Sequence, residues 1–361
     1  MKRVAILIYL FLASLASASE YSISLTTHQR TKLVELIKSD KDAQARFETL
    51  KHVADKALDD TPNPIKTIQS EGKLKTDPAK IKTSESMADM GKVNALAYAF
   101  AVTADARYGD KAREFVLAWA HKNVPNGDPI DDTSLDHLFV AYDLTRAHYS
   151  ADDKKSVETW IRHVADTEIS HLKKSSGTAK NNWHSHRLKI IGLAGYAIAD
   201  AKLIDYAIDG FKKQIEGNLK PDGSSLDFHE RDALHYHCYD LEPLLVLAIA
   251  AAENGTALYP FRAASGSSLD KSVKFLVPYC TGAKTHPEFV HSNVAFDKKR
   301  AESGDEHYKA GRLFSPKSGG HTLELAAFFD SSYMPIYCQA TGATASKFPS
   351  WQFVLNAVRA K

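Results

Sequence analysis

Two short stretches of this chain concentrate side chains that can move protons or hold an anion. The first is Asn181-Asn182-Trp183-His184-Ser185-His186-Arg187. The second is His229-Glu230-Arg231-Asp232-Ala233-Leu234-His235-Tyr236-His237-Cys238-Tyr239. Together they hold five of the sixteen histidines. Imidazole and phenol groups exchange protons, while amide and guanidinium N–H groups bind oxyanions. Each stretch leads into a strongly apolar segment, over 188–199 and from Leu241 onward. Polar groups at the mouth of a buried helix face a cleft while the helix holds them rigidly.

Spacing limits which side chains act together. If the first stretch is helical from Asn182, then Asn182 and His186 share a face and His184 projects elsewhere. If it is extended, Asn182, His184 and His186 alternate onto one side. In the second stretch His235 and Tyr239 share a side in either conformation, and His237 joins them only in an extended chain. Pro243, in the first turn after Asp240, predicts a non-helical approach through Tyr239. Other chemistries are poorly served. His235-x-His237 lacks a carboxylate at helical spacing, so it is a weak zinc signal. No G-x-S-x-G occurs, and the dispersed Asp and Glu residues single out no glycosidase pair.

The elements that must position these groups read as helix after helix. Apolar residues recur at helical spacing over 93–106, 111–121 and 135–148. Ser150 with Asp152 and Asp153 opens a helix over 154–172. Further helices are predicted near 184–200, 202–218, 241–253, 258–277, 322–329 and 351–359. Short links such as Tyr108-Gly109-Asp110 favour antiparallel neighbours. The breaks fall at 62–84, 123–133, 175–181, 221–234 and 281–318. The first carries Lys66, Lys73, Lys75, Lys80 and Lys82, and a loop of that length reads as a lid or binding loop. The expectation is an all-α chain folded as a single α/α toroid, an incomplete α/α barrel of antiparallel helix hairpins, with its long loops gathered over one end.

Composition sets the outer bounds. The chain has 361 residues, 44% apolar and 25% charged, an ordinary globular balance. Lys2 and Arg3 precede an apolar run over 4–12, and Ala16-Ser17-Ala18 supplies the small residues that a signal peptidase accepts. Residues 1–18 therefore read as a signal peptide, leaving 19–361 as one catalytic domain in the periplasm or outside the cell. No later segment is apolar and long enough to span a bilayer, so no membrane association is expected after signal removal. There are 46 Lys and Arg against 44 Asp and Glu, which argues against a polybasic nucleic-acid binder. Of three cysteines, Cys280 and Cys338 are the pair better suited to a disulfide, and unpaired thiols stand as the equal alternative.

With these residues in view, the chain resembles the alginate lyase superfamily of polysaccharide lyases, family 38 more closely than family 5. The resemblance rests on Asn-Asn-Trp-His at 181–184, on Arg231 followed by Ala233 to Tyr239, and on helical texture such as Ala97-Tyr98-Ala99-Phe100. It covers roughly residues 85–260. Two departures stand out: Trp183 separates Asn182 from His184, which are adjacent in family 5, and the arginine lies one place further from the tyrosine. The resemblance implies an α/α toroid that cleaves a uronic-acid polysaccharide by β-elimination, with no metal or organic cofactor. It implies catalytic roles for Asn182, His184, Arg231 and Tyr239. Substrate contacts are then expected from Trp183, His186, His235, His237, Lys66 and Tyr142, the anionic polysaccharide being the partner. Elimination removes H5, α to a carboxylate, whose charge must be quenched first. Tyrosine starts from a pKa near 10, so Arg231 and a protonated His184 or His237 are expected to help it ionise. Where H5 and O4 share a face of the ring, as in mannuronate and glucuronate, one residue serves as base and acid. In guluronate they do not, and His184 as base with Tyr239 as acid is the sensible division. An α/α-barrel glycoside hydrolase and a non-catalytic uronate-binding protein are the rival readings.

Overall fold

Helix starts along this chain are written in short side chains that accept from the first free N–H groups. The computed structural model describes residues 21–174, 176–344 and 346–359; the signal segment expected over 1–18 lies outside them. Thr26 and Gln29 form a reciprocal capping box at α1 (Thr27–Ser39). Asp40 caps α2 (Lys41–Ala57), Asp77 with Pro78 opens α3 (Pro78–Thr103), and Asp105 caps α4 (Ala106–Lys122). Asp128 and Pro129 start the short α5 (Pro129–Asp132). There follow α6 (Asp136–Thr145), α7 (Ala151–Lys174), α8 (Asn182–Ala197) and α9 (Ala201–Asn218), the last capped by Asp200. Ser225 caps α10 (Leu226–Arg231), which is followed by α11 (Leu234–Glu253), and Ser268 caps α12 (Leu269–Cys280). The chain closes with α13 (Ala295–Glu302), α14 (Gly320–Ala326), α15 (Tyr333–Thr341) and α16 (Trp351–Arg359). Among the described residues the only strands are β1 (Pro287–Glu288) and β2 (Arg312–Leu313), paired antiparallel.

Burial sorts these helices into two kinds. In α8 every residue but Trp183 is buried, and α11 is buried nearly all round. In α9 the buried residues Leu203, Ile204, Ala207, Phe211 and Ile215 make a single stripe. Helices α3, α6, α8, α11 and α14 pack in succession, with α4, α7, α9, α12 and α15 laid against that series. Helix α16 packs on α14, α1 and α2, which carries the ring from its last helices back to its first. This is the α/α toroid. Close approach at its centre depends on Gly192: a Cβ there would stand 2.4 Å from Leu247 Cδ1 and 3.1 Å from Ala207 Cβ.

Several expected boundaries move. The helix expected over 258–277 occupies only Leu269–Cys280, because Pro260 and Gly266 (φ 85°) break the preceding chain and Ser268 restarts it. Helix α3 begins at Pro78, inside the break expected over 62–84. The non-helical approach through Tyr239 is also corrected. Helix α11 is continuous from Leu234, with Pro243 inside it, and the burial of Leu241, Leu244, Leu245 and Leu247 outweighs one missing hydrogen bond. The three cysteines are free, so no Cys280–Cys338 bridge forms.

Candidate active site

Three helix ends converge on one cleft. Asn182 is the first residue of α8, and Asn181 before it makes no side-chain cap. Asp227 on α10 does that work, accepting the Asn182 backbone N–H at 3.0 Å and also the Asn182 Nδ2–H. Arg231 ends α10, and Asp232 in the left-handed region (φ 50°) turns the chain toward α11. Because α11 is helical from Leu234, His235 and Tyr239 lie one turn apart on one face, and His237 points away from them.

A cavity of about 270 Å³ is lined by Asn182, Trp183, Arg231, His235, Tyr236 and Tyr239, together with Ser70, Glu71, Lys80, Ile130, Arg300 and Tyr308. A second, of about 670 Å³, shares His235, Tyr239 and Tyr308 with the first and continues past Arg312 and Lys317. Tyr239 therefore lines both cavities. Its ring is backed by His186, with centroids 4.3 Å apart. The floor is aromatic: Tyr236, Phe289 and Tyr308 pack with Ala233 and Tyr239. The guanidinium of Arg231 lies 3.9 Å from the Tyr236 ring centroid and pairs with Asp297. Arg300 donates from Nη1 to the Tyr236 hydroxyl at 3.0 Å. Two loops meet above: Lys75 Nζ donates to the Gly304 carbonyl at 2.8 Å, and Glu71 lies 3.8 Å from Arg300.

Burial controls the protonation states. The Tyr239 phenol is pushed above its ordinary value by burial and then by the charges of Glu71 and Glu242, so the resting hydroxyl keeps its proton. Burial, then the nearby Arg187, holds His184 down at about 4. Burial and then Arg231 hold His235 at about 3, while burial holds His237 at about 4. His186 falls to about 3 by burial and then Lys189; the Tyr239 carbonyl, left without a helical donor by Pro243, pulls the other way. These values argue against a protonated His184 or His237 beside Tyr239: no carboxylate offsets the burial of His184, and the charge of Asp222 is too weak to offset that of His237.

The structure brings Asn182, Trp183, Arg231, His235 and Tyr239 to one cavity. It sends others elsewhere. His237 is fully buried, with Nδ1 2.9 Å from Ser225 Oγ and Nε2 3.0 Å from the Ser272 carbonyl, so it ties α11 to the start of α10 and to α12. Tyr142 is buried in the core of α6 and donates to Glu158 at 2.6 Å, because its apolar stripe faces α3 and α8. Lys66 is exposed outside the cavity lining, and Lys80 is the lysine of that segment which reaches it. His186, with Nδ1 2.7 Å from Thr133 Oγ1, lines an inner chamber of about 280 Å³ beside His137 and Lys189. His184 is buried with Nδ1 unpartnered, outside the cavity lining. Glu71, Arg300, Tyr308 and Arg312 were not expected; their only sequence signal is that they sit in the two longest breaks expected between helices, 62–84 and 281–318, the second of which in fact holds α13 with Arg300. Among the described residues no group of three or more His, Cys, Asp or Glu side chains is arranged to hold a metal ion.

Residues 26–286 match the protein family described as Alginate lyase. A polysaccharide lyase of Stenotrophomonas maltophilia (strain K279a) is 24% identical over 206 residues, a match spanning 53% of this chain and 61% of that relative. Among solved structures, an alginate lyase from Bacteroides ovatus superposes with a TM-score of 0.69 at 17% identity, across 93% of this chain and 98% of its own. Alginate lyase A1-III from Sphingomonas species A1 gives 0.63 at 17% identity, across 87% and 90%. A form of A1-III complexed with a tetrasaccharide gives 0.59 at 17% identity, across 83% and 85%. At such identities the structural likeness is one of fold.

Proposed function

The chain belongs to the alginate lyase family, and from that premise we propose that it cleaves a 1,4-linked uronic-acid polysaccharide by β-elimination. The polymer is mannuronate-rich alginate or a glucuronan, sugars that differ only at C2. Asn182, Arg231 and Arg300 line one side of Tyr239, next to the N-terminal end of α8, whose dipole favours an anion. There the uronate carboxylate would be neutralised, so that H5 departs without two negative charges building on one group. His184, held neutral, adds no charge to this cradle. Trp183 offers an apolar face for a sugar ring.

The observation that carries the reading is the place of Tyr239 on the lining that two cavities share. A chain lying across it sets sugars on either side of the scissile bond. Because the phenol rests protonated, its oxygen takes H5 as its own proton passes to O4. The C5–H and C4–O4 bonds break, C4=C5 and O4–H form, and the hydroxyl is regenerated. That suits mannuronate and glucuronate, where H5 and O4 share a face. Residues 1–18 read as a signal peptide, so action in the periplasm or outside the cell belongs to the same proposal. Incubation with polymannuronate, polyguluronate and glucuronan tests it. Ultraviolet absorbance of the conjugated C4=C5 product should grow with polymannuronate or glucuronan; shortened chains without absorbance would mean hydrolysis.

A further inference from the structure

Beneath the cleft two carboxylates share a buried network. Asp227 and Asp240 are both buried, and Asn218 Nδ2 reaches both, at 2.8 Å and 3.2 Å. Asp240 also accepts from Ser185 Oγ at 2.6 Å. The network joins the start of α8, the end of α9, α10 and α11, that is, the elements carrying Asn182, Arg231 and Tyr239.

We propose that Asp227 is a positioning residue for the elimination: by accepting both the backbone N–H and the side-chain N–H of Asn182, it decides which end of that amide faces the cleft. The inference rests on the reading of Asn182 as a group that binds the substrate carboxylate. An ionised carboxylate only accepts hydrogen bonds. The Asn182 nitrogen must therefore turn toward Asp227, and its second N–H remains for an anion in the cavity. Were the amide reversed, its oxygen would oppose the negative charge that grows on the substrate carboxylate as H5 leaves, a penalty felt mainly in the transition state. Which of the two acids is charged follows from their surroundings. Burial raises both, but three donor contacts from Asn182 and Asn218 together with nearby Arg231 oppose it at Asp227, whereas Asp240 is raised further by the charge of Asp227. The three donors aimed at Asp227 favour the charge of the pair there rather than on Asp240.

Asp227→Asn keeps size and burial but can donate to the Asn182 oxygen, so the amide is free to reverse. On whichever uronate polymer the native protein cleaves, kcat should fall about 10- to 100-fold with KM within about threefold, as for a small misplacement of a catalytic group. A residue that merely supports the fold would not show the second signature. In an Asn182→Ala background the same change should cost less than about threefold, since Asp227 acts through Asn182. If Asp227→Asn does not fold, Asn218→Ala carries the test by loosening the same carboxylate from its far side. It should cost about 3- to 10-fold in kcat, again only where Asn182 is present. A kcat near native for the folded variant, or equal losses in both backgrounds, overturns the inference. Native protein that forms no unsaturated product on any uronate polymer overturns the functional reading instead, and the inference with it.

Discussion

The proposed elimination asks that the proton of Tyr239 be managed rather than removed. A buried phenol flanked by Glu71 and Glu242 does not rest as phenolate, so in the proposed elimination acceleration would come from quenching the uronate charge and from a hydroxyl placed to reach both H5 and O4. Arg231 contributes most of that quenching in this account. Arg231→Ala should lower kcat/KM about 100-fold or more, and steady-state kinetics on polymannuronate or glucuronan would show it. Arg231→Lys should recover only part of the loss, because a lysine cannot both lie flat on Tyr236 and pair with Asp297. Full recovery would argue for a simple point charge. At this scale the sequence was informative. Asn182, Trp183, Arg231, His235 and Tyr239 sit in two compact runs, and helical spacing alone pairs His235 with Tyr239. His237 misled because an i, i+2 partner shares a face only in an extended chain, whereas α11 is helical there.

Element positions follow from contacts that a single chain pattern does not display. The caps, the periodic stripes and the antiparallel pairing were legible along the chain. The start of α11 was not, since Pro243 argues against a helix unless tertiary burial outweighs its missing N–H. Gly192→Ala would force a methyl against Leu247 and Ala207, costing about 1–3 kcal/mol. Denaturant melts should show it while activity per folded molecule is kept. His237 joins α10, α11 and α12 and has a folded value of about 4 against an ordinary 6.5. Above 6.5 neither folded nor unfolded chain holds the proton. Between 6.5 and 4 the unfolded chain binds it and the folded chain does not, so stability falls as pH falls through that window. His237→Gln should flatten the slope of stability against pH there by up to about 1.4 kcal/mol per unit. An unchanged slope would remove His237 from the balance.

Over the whole molecule the toroid was legible and the cleft was not. Helical texture and short links predict stacked hairpins, but Glu71, Arg300, Tyr308 and Arg312 come from helix-poor stretches about 230 residues apart in sequence, which only tertiary packing joins. Net charge across the chain is +2, so attraction for the proposed polyanionic substrate would be local, from Lys80, Arg231, Arg300, Arg312 and Lys317, which line the two cavities. Raising salt from about 50 to about 300 mM should therefore increase KM severalfold and leave kcat nearly constant, as screening shortens the reach of these charges. A salt-independent KM would place recognition in hydrogen bonds and ring stacking. The most direct test of Tyr239 as acid and base compares native protein with Tyr239→Phe, following unsaturated product by absorbance and oligosaccharide binding by calorimetry. Tyr239→Phe should lose at least about 100-fold in turnover with binding nearly intact. Substantial turnover by the phenylalanine variant would contradict that role.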